Sequence, residues 1–158
     1  MSARVNFFGA ASSLMWEWQR AAHAISSSLD PRLSALVKIR VSQINGCANC
    51  LDMHTVHARE SGETEQRIYL LPAWRDAPCY TDRERAALGW AEALTQLSEA
   101  HAREVAYEAL WSEFSREDQI RLTLLINIIN GYNRLAAGLG DWPDPATVRS
   151  ATEAAVAA

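Results

Sequence analysis

Cys47, Cys50 and His54 stand three and then four residues apart in the run Val41-Ser42-Gln43-Ile44-Asn45-Gly46-Cys47-Ala48-Asn49-Cys50-Leu51-Asp52-Met53-His54. On a helix that begins just after Gly46, this spacing puts all three on one face. The chemistry open to such a face is redox chemistry. Unpaired N–H groups and the dipole at a helix start favour a negative sulfur at Cys47, and an imidazole one turn beyond Cys50 can exchange a proton with its thiol. The motif thus offers a nucleophile, a base and a second sulfur able to close a disulfide. Asp52, two residues from Cys50, points to roughly the opposite face.

Two plainer readings compete. Cys47, Cys50, His54 and His57 form a tempting zinc set, but Cys47 and His57 are ten residues apart. On one helix that separates their backbones by about 15 Å, against ligand bonds of about 2.0–2.3 Å, so a single ion does not take all four. No cofactor and no metal are therefore expected. His57 reads as a surface or interface histidine. Alternatively the cysteines are only small buried residues, which is the default for the lone Cys79. For the pair, the helix-start position, the disulfide-compatible spacing and the histidine at the next turn coincide and favour chemistry.

The elements that carry this motif are helical. Residues 14–25 have apolar positions at Leu14, Met15, Trp18, Ala21, Ala22 and Ile25, with helical spacing. Asp30 before Pro31 is a helix start, and Leu33, Leu36, Val37, Ile39 and Ile44 continue a largely buried helix to the Asn45-Gly46 break. The cysteine helix then runs to about Ser61, with Gly62 as its stop. A short helix is expected over 63–71, and a loop over 73–80 holds Cys79. Thr81-Asp82-Arg83-Glu84 has capping-box spacing before a helix carrying Ala86, Ala87, Leu88, Trp90, Ala91 and Leu94. A helix over 102–114 follows, with Val105, Leu110 and Phe114 among its apolar residues. Ser115 caps a long final helix over 116–139, whose expected core side includes Ile120, Leu124, Leu125, Ile128, Ile129, Tyr132 and Leu135. Trp142-Pro143-Asp144-Pro145 starts a tail that is alanine-rich from Ala146. No alternating run suits a strand, and the chain reads as all-α.

The sequence has 158 residues, enough for one domain over 1–158 with a core that needs no staples. Its net charge of −4 and pI near 5.5 leave no basic stripe for nucleic acid and no polybasic patch for a membrane. The apolar patch at Val5, Phe7 and Phe8 is too brief for a secretory signal, and the longest apolar run is broken by Asn127. A soluble, cytoplasmic protein is expected. In a reducing compartment a close cysteine pair is catalytic or metal-binding more often than structural.

The run from Leu36 to His54, followed by Gly62-Glu63-Thr64-Glu65-Gln66-Arg67, resembles the AhpD-like alkylhydroperoxidases of the carboxymuconolactone decarboxylase superfamily. Thr81-Asp82-Arg83-Glu84-Arg85-Ala86-Ala87-Leu88 and Tyr132-Asn133-Arg134-Leu135 resemble that family too, so the likeness covers about 29–139. It implies an AhpD-like fold of about six to seven helices, assembled as trimers or hexamers. It also implies peroxiredoxin-type reduction of hydroperoxides through a cysteine pair that an external dithiol re-reduces. In that scheme Cys50 is the peroxide-attacking thiolate, Cys47 the proton donor and resolving thiol, and His54 the proton relay.

Two positions depart from the family pattern. The relay glutamate, twelve residues before the first cysteine, is Ala35 here, and Asn49 stands where the peroxidase prototype has a histidine. Without the carboxylate His54 is expected to be less well oriented and less basic, and peroxide reduction less efficient. Glu17 is a candidate replacement acid and His23 a further neighbour. Two other functions compete: a non-catalytic redox sensor or thiol-disulfide oxidoreductase, favoured by Ala35, and a decarboxylase like the superfamily's namesake, in which the cysteine pair is idle.

Overall fold

The structure, a computed structural model, describes residues 4–140. Within them lie eight α-helices, one 3₁₀ turn and no strand. The helices are α1 (Phe7–Ala10), α2 (Ser12–Ser27), α3 (Pro31–Asn45), α4 (Ala48–Glu60), α5 (Glu65–Leu70), α6 (Asp82–Thr95), α7 (Ala100–Glu113) and α8 (Arg116–Leu139). The expected all-α AhpD-like domain is what forms, with the one-turn α1 as an addition. None of these helices is long and apolar enough to cross a membrane.

Helix α3 is the axis of the molecule, packed against α4, α6 and α8. Its start is set by the Asp30 side chain, which accepts from Leu33 N at 2.9 Å, and by Pro31 in the first turn. Its apolar residues divide between two cores. Leu33, Val37 and Val41, at four-residue spacing, join Leu110, Leu122, Leu125 and Ile126 on one side. Leu36 and Ile39 face the other way, onto Ile68, Leu71, Trp74 and Leu88. Truncating any of these fully buried leucines to alanine costs about 2–5 kcal/mol. A helix buried on two sides needs small neighbours, and Ala86, Ala87 and Ala91 of α6 supply them. Glu92 ties the same helices together. Its carboxylate accepts from Arg40 Nε at 2.7 Å and from Trp74 Nε1 at 2.8 Å, and pairs with Arg75 at 2.6 Å. Burial works to raise the Glu92 pKa, yet these donors outweigh it and the carboxyl lies below its usual range.

Most boundaries fall where the capping residues put them. Thr81 and Glu84 form the complete capping box, and Ser115 caps α8 by accepting from Asp118 N. The segment 63–71 is shorter than expected: Thr64 caps α5 at Glu65, and Pro72 tightens the chain into a 3₁₀ turn over Leu71–Ala73.

The expected core faces need correction. Ile120 and Leu124 are 62% and 43% exposed, and the buried side of α8 is Gln119, Leu122, Leu125, Ile126, Ile129, Asn130, Asn133 and Ala136. Only Met15 of α2 is buried, Leu14 is 72% exposed, and Val105 of α7 faces outward. The partner differs from helix to helix, α8 and α3 for α2, α6 for α7, and α3 and α6 for α8, and periodicity alone does not reveal which side meets it. The tail from Trp142 and the alanine-rich end from Ala146 lie outside the described residues.

Candidate functional site

Gly46 ends α3 in the left-handed region at φ 65°, which a side chain rarely adopts, and thereby reverses the chain into α4. Cys47 occupies the N-cap of α4. Its backbone N donates to Ser42 O at 3.0 Å and its carbonyl accepts from Leu51 N at 3.0 Å. Cys50 lies in the first helical turn, and the two sulfurs are joined in a disulfide across a Cα–Cα distance of 5.4 Å. Both residues are buried, at 2% and 3% exposure, against Ala136 of α8.

A polar network fixes this corner. Asn45, the last residue of α3, donates from Nδ2 to Asn130 Oδ1 and Asn133 Oδ1, each at 2.9 Å. Asn133 Nδ2 donates to Ser42 Oγ at 3.1 Å, and Asn130 Nδ2 to Ile126 O at 3.0 Å and Thr95 Oγ1 at 3.1 Å. Asn45 thus uses both amide hydrogens, and the buried amides of α8 are satisfied. The turn that presents the cysteines is held to α8 by directional bonds as well as by packing.

Beside the disulfide opens a cavity of about 760 Å³, bounded by α1, α2, α3, α4 and α8. Cys50 and His54 line it; Cys47 is not among its lining residues. The roof is helix α2, which lies on α8 where Gly131 gives it room: a Cβ there would come within 2.6 Å of Trp18 Cζ2. Ala35, Lys38, Asn49 and His23 also line the space.

His54 is a depressed imidazole. Burial first, then the positive charge of Lys38 and the neighbouring His57, hold its pKa down to about 3. No carboxylate contributes to that balance. Glu17, the candidate replacement acid, is exposed on α2 and pairs with Arg20. Position 35 brings only a methyl group to the cavity.

Of the remaining residues singled out in the sequence, His57 lines the same cavity, whereas Asp52 and Cys79 do not. His57 and Asp52 are exposed. The His54 and His57 rings are 6.5 Å apart, centre to centre. Among the described residues no three His, Cys, Asp or Glu side chains converge as metal ligands. Cys79 is half-buried against the second core, remote in its packing from the disulfide cluster, and its carbonyl accepts from Arg67.

Two features of the site are not legible in the cysteine motif. Lys38, one turn beyond Ala35 on α3, brings a half-buried ammonium to the cavity; burial lowers its pKa, and its Nζ donates to Ser26 Oγ. Its three-residue offset from Ala35 was the available signal. The network of Asn130 and Asn133 was hidden because asparagines on an apolar helix read as interruptions of its core face.

The sequence model of the carboxymuconolactone decarboxylase family matches residues 12–93. An uncharacterized protein of Bacillus subtilis (strain 168), YdfG, is 38% identical over 144 residues, 89% of this chain and 97% of that protein. The crystal structure of ATU0492 from Agrobacterium tumefaciens superposes with a TM-score of 0.85 at 39% identity, covering 90% of this chain and 99% of that one. ATU0492 is a protein of unknown function for which the role of the antioxidant defence protein AhpD has been put forward. The debrominase Bmp8, in complex with 2,3,4-tribromopyrrole, shares the fold at 20% identity, with a TM-score of 0.79 over 92% of this chain and 79% of that one.

Proposed function

The chain belongs to the carboxymuconolactone decarboxylase family, and from that premise we propose that it is a thiol-dependent hydroperoxide reductase of the AhpD-like kind. One observation carries the reading: of the two disulfide-bonded sulfurs, the residue that lines the cavity is Cys50, with His54 one turn beyond it on the same wall. Cys50 is therefore the sulfur a substrate meets, and Cys47 the one held behind it.

In the reduced protein the Cys50 thiolate attacks the terminal peroxide oxygen. The O–O bond breaks, sulfur is oxidised to sulfenic acid, and the departing alkoxide takes up a proton to leave as an alcohol. Cys47 thiol then attacks the sulfenic sulfur, a sulfur–sulfur bond forms, and water leaves. An external dithiol reduces the disulfide through a mixed disulfide and is itself oxidised. His54 relays protons between Cys50 and the solvent. A thiolate at Cys50 places a negative charge near the imidazole and raises its pKa from the value of the disulfide form. The partners this scheme requires are a hydroperoxide and a dithiol, acting on the trimer or hexamer that the resemblance implies.

The test is a thiol titration before and after one equivalent of peroxide. Rapid loss of two thiols supports the reading; retention of both sinks it. The depressed His54, with no carboxylate beside it, favours a second reading as a redox sensor or thiol-disulfide oxidoreductase. Continuous peroxide turnover with excess dithiol separates the two, since a sensor oxidises without sustained consumption.

A further inference from the structure

The cavity beside Cys50 is much larger than a peroxide group requires. Its volume of about 760 Å³ lies in the range that encloses a drug-sized ligand. Phe7, Phe8, Leu29, Met53 and Ile129 give it apolar walls. Among the described residues no aspartate or glutamate lines it, although the protein as a whole carries a net charge of −4. Lys38 is the only lysine or arginine among the described lining residues, accompanied by His23, His54 and His57.

Lys38 is also unusual in its partners. Its Nζ donates to Ser26 Oγ, and Ser26 Oγ pairs in turn with Ser34 Oγ at 3.1 Å. None of the ion pairs among the described residues uses Lys38, whereas Arg40, two residues later on the same helix, has Glu92. A half-buried ammonium held only by a hydroxyl is incompletely compensated, and an anion in the cavity would complete it. Ala35, one turn before, contributes no carboxylate that could take that place.

We propose that the cavity binds a carboxylate-bearing molecule with an apolar body, and that Lys38 holds the carboxylate. One ammonium balances one unit of charge, which suits a carboxylate better than a doubly charged phosphate ester. The apolar body lies along the aromatic and aliphatic walls. Resting on the hydroperoxide reading above, the substrate is then an organic hydroperoxide that also carries a carboxylate, with its peroxide group reaching Cys50. The redox steps are unchanged; Lys38 selects which hydroperoxide meets the thiolate.

Binding and chemistry are tested separately, on the full chain. Calorimetry with the disulfide form compares decanoate with its neutral isostere decanamide. Decanoate is expected to bind roughly tenfold or more tightly. Lys38→Gln should remove that preference, Lys38→Arg should keep most of it, and decanamide binding reports whether the variant cavity is intact. In the reduced protein, oxidation of Cys50 by a carboxylate-bearing hydroperoxide should exceed that by its methyl ester, with the ratio falling towards one in Lys38→Gln. Equal affinity for decanoate and decanamide, or a preference that survives Lys38→Gln, overturns the proposal. A decanoate preference that depends on Lys38, in a protein whose thiols ignore every hydroperoxide, upholds the carboxylate site and sinks the peroxidase reading instead.

Discussion

Asn45 donates to Asn133 Oδ1 at 2.9 Å, joining residues 88 positions apart in the chain. The bond fixes the last residue of α3 to α8 immediately before the left-handed Gly46, so the direction in which α4 sets out is determined by a helix from the other end of the sequence. Because Cys47 caps α4, this amide pair also fixes where the disulfide lies.

Replacing Asn133 by alanine removes an acceptor from Asn45 and a donor from the buried Ser42 hydroxyl. Leaving such groups unpaired costs about 1–3 kcal/mol. The urea midpoint of the oxidised protein should fall accordingly, and the Cys47–Cys50 disulfide should re-form more slowly after reduction. An unchanged midpoint would mean that Asn130 alone holds the turn.

The two cysteines should separate cleanly. Cys50→Ser is expected to abolish peroxide consumption. Cys47→Ser should react once and stop at a sulfenic acid that a dimedone-type probe traps. A Cys50→Ser protein as reactive as the native one would reverse the roles of the sulfurs, and a bridge to Cys79 in mass spectra of the oxidised protein would replace Cys47 as the resolving residue.

His54→Ala should slow Cys50 oxidation by roughly 10²-fold, the lower end of the 10² to 10⁴ range for positioned acid–base groups. The lower end applies because no carboxylate supports the imidazole. Ala35→Glu puts one on the cavity wall, and both the His54 pKa and the single-turnover rate should rise. If NMR titration shows His54 unmoved in Ala35→Glu, the two positions do not communicate.

Acid should weaken the oxidised protein through His54. Burial holds the folded imidazole down to about 3, against the ordinary histidine value of 6.5, so the unfolded chain binds a proton that the folded chain refuses between those limits. Stability is complete above about pH 6.5 and falls as pH drops towards 3, by at most about 1.4 kcal/mol per unit. Thermal melts of His54→Asn should show a shallower decline across that window; an identical slope would assign the decline to other groups.

Ile120 and Leu124 face outward from α8. An oligomer that buries them is expected in sedimentation, and Ile120→Glu with Leu124→Glu should dissociate it. A monomer at micromolar concentration would refute the assembly.

Local geometry follows from neighbouring residues alone. Asp30-Pro31, Asn45-Gly46, Thr81 with Glu84, and Ser115 are short-range signals, satisfied by hydrogen bonds within a few residues, so they placed the helix ends and put Cys47, Cys50 and His54 along one helical start. Three-dimensional packing decided what those residues meet. Which face of α8 turns inward depended on the partner helices, because its apolar residues occupy more than one side. The contact of Asn133 with Asn45, the cavity beside Cys50 and the ammonium of Lys38 within it join segments far apart in the chain. Their energies come from burial and long-range hydrogen bonds, which no local spacing encodes.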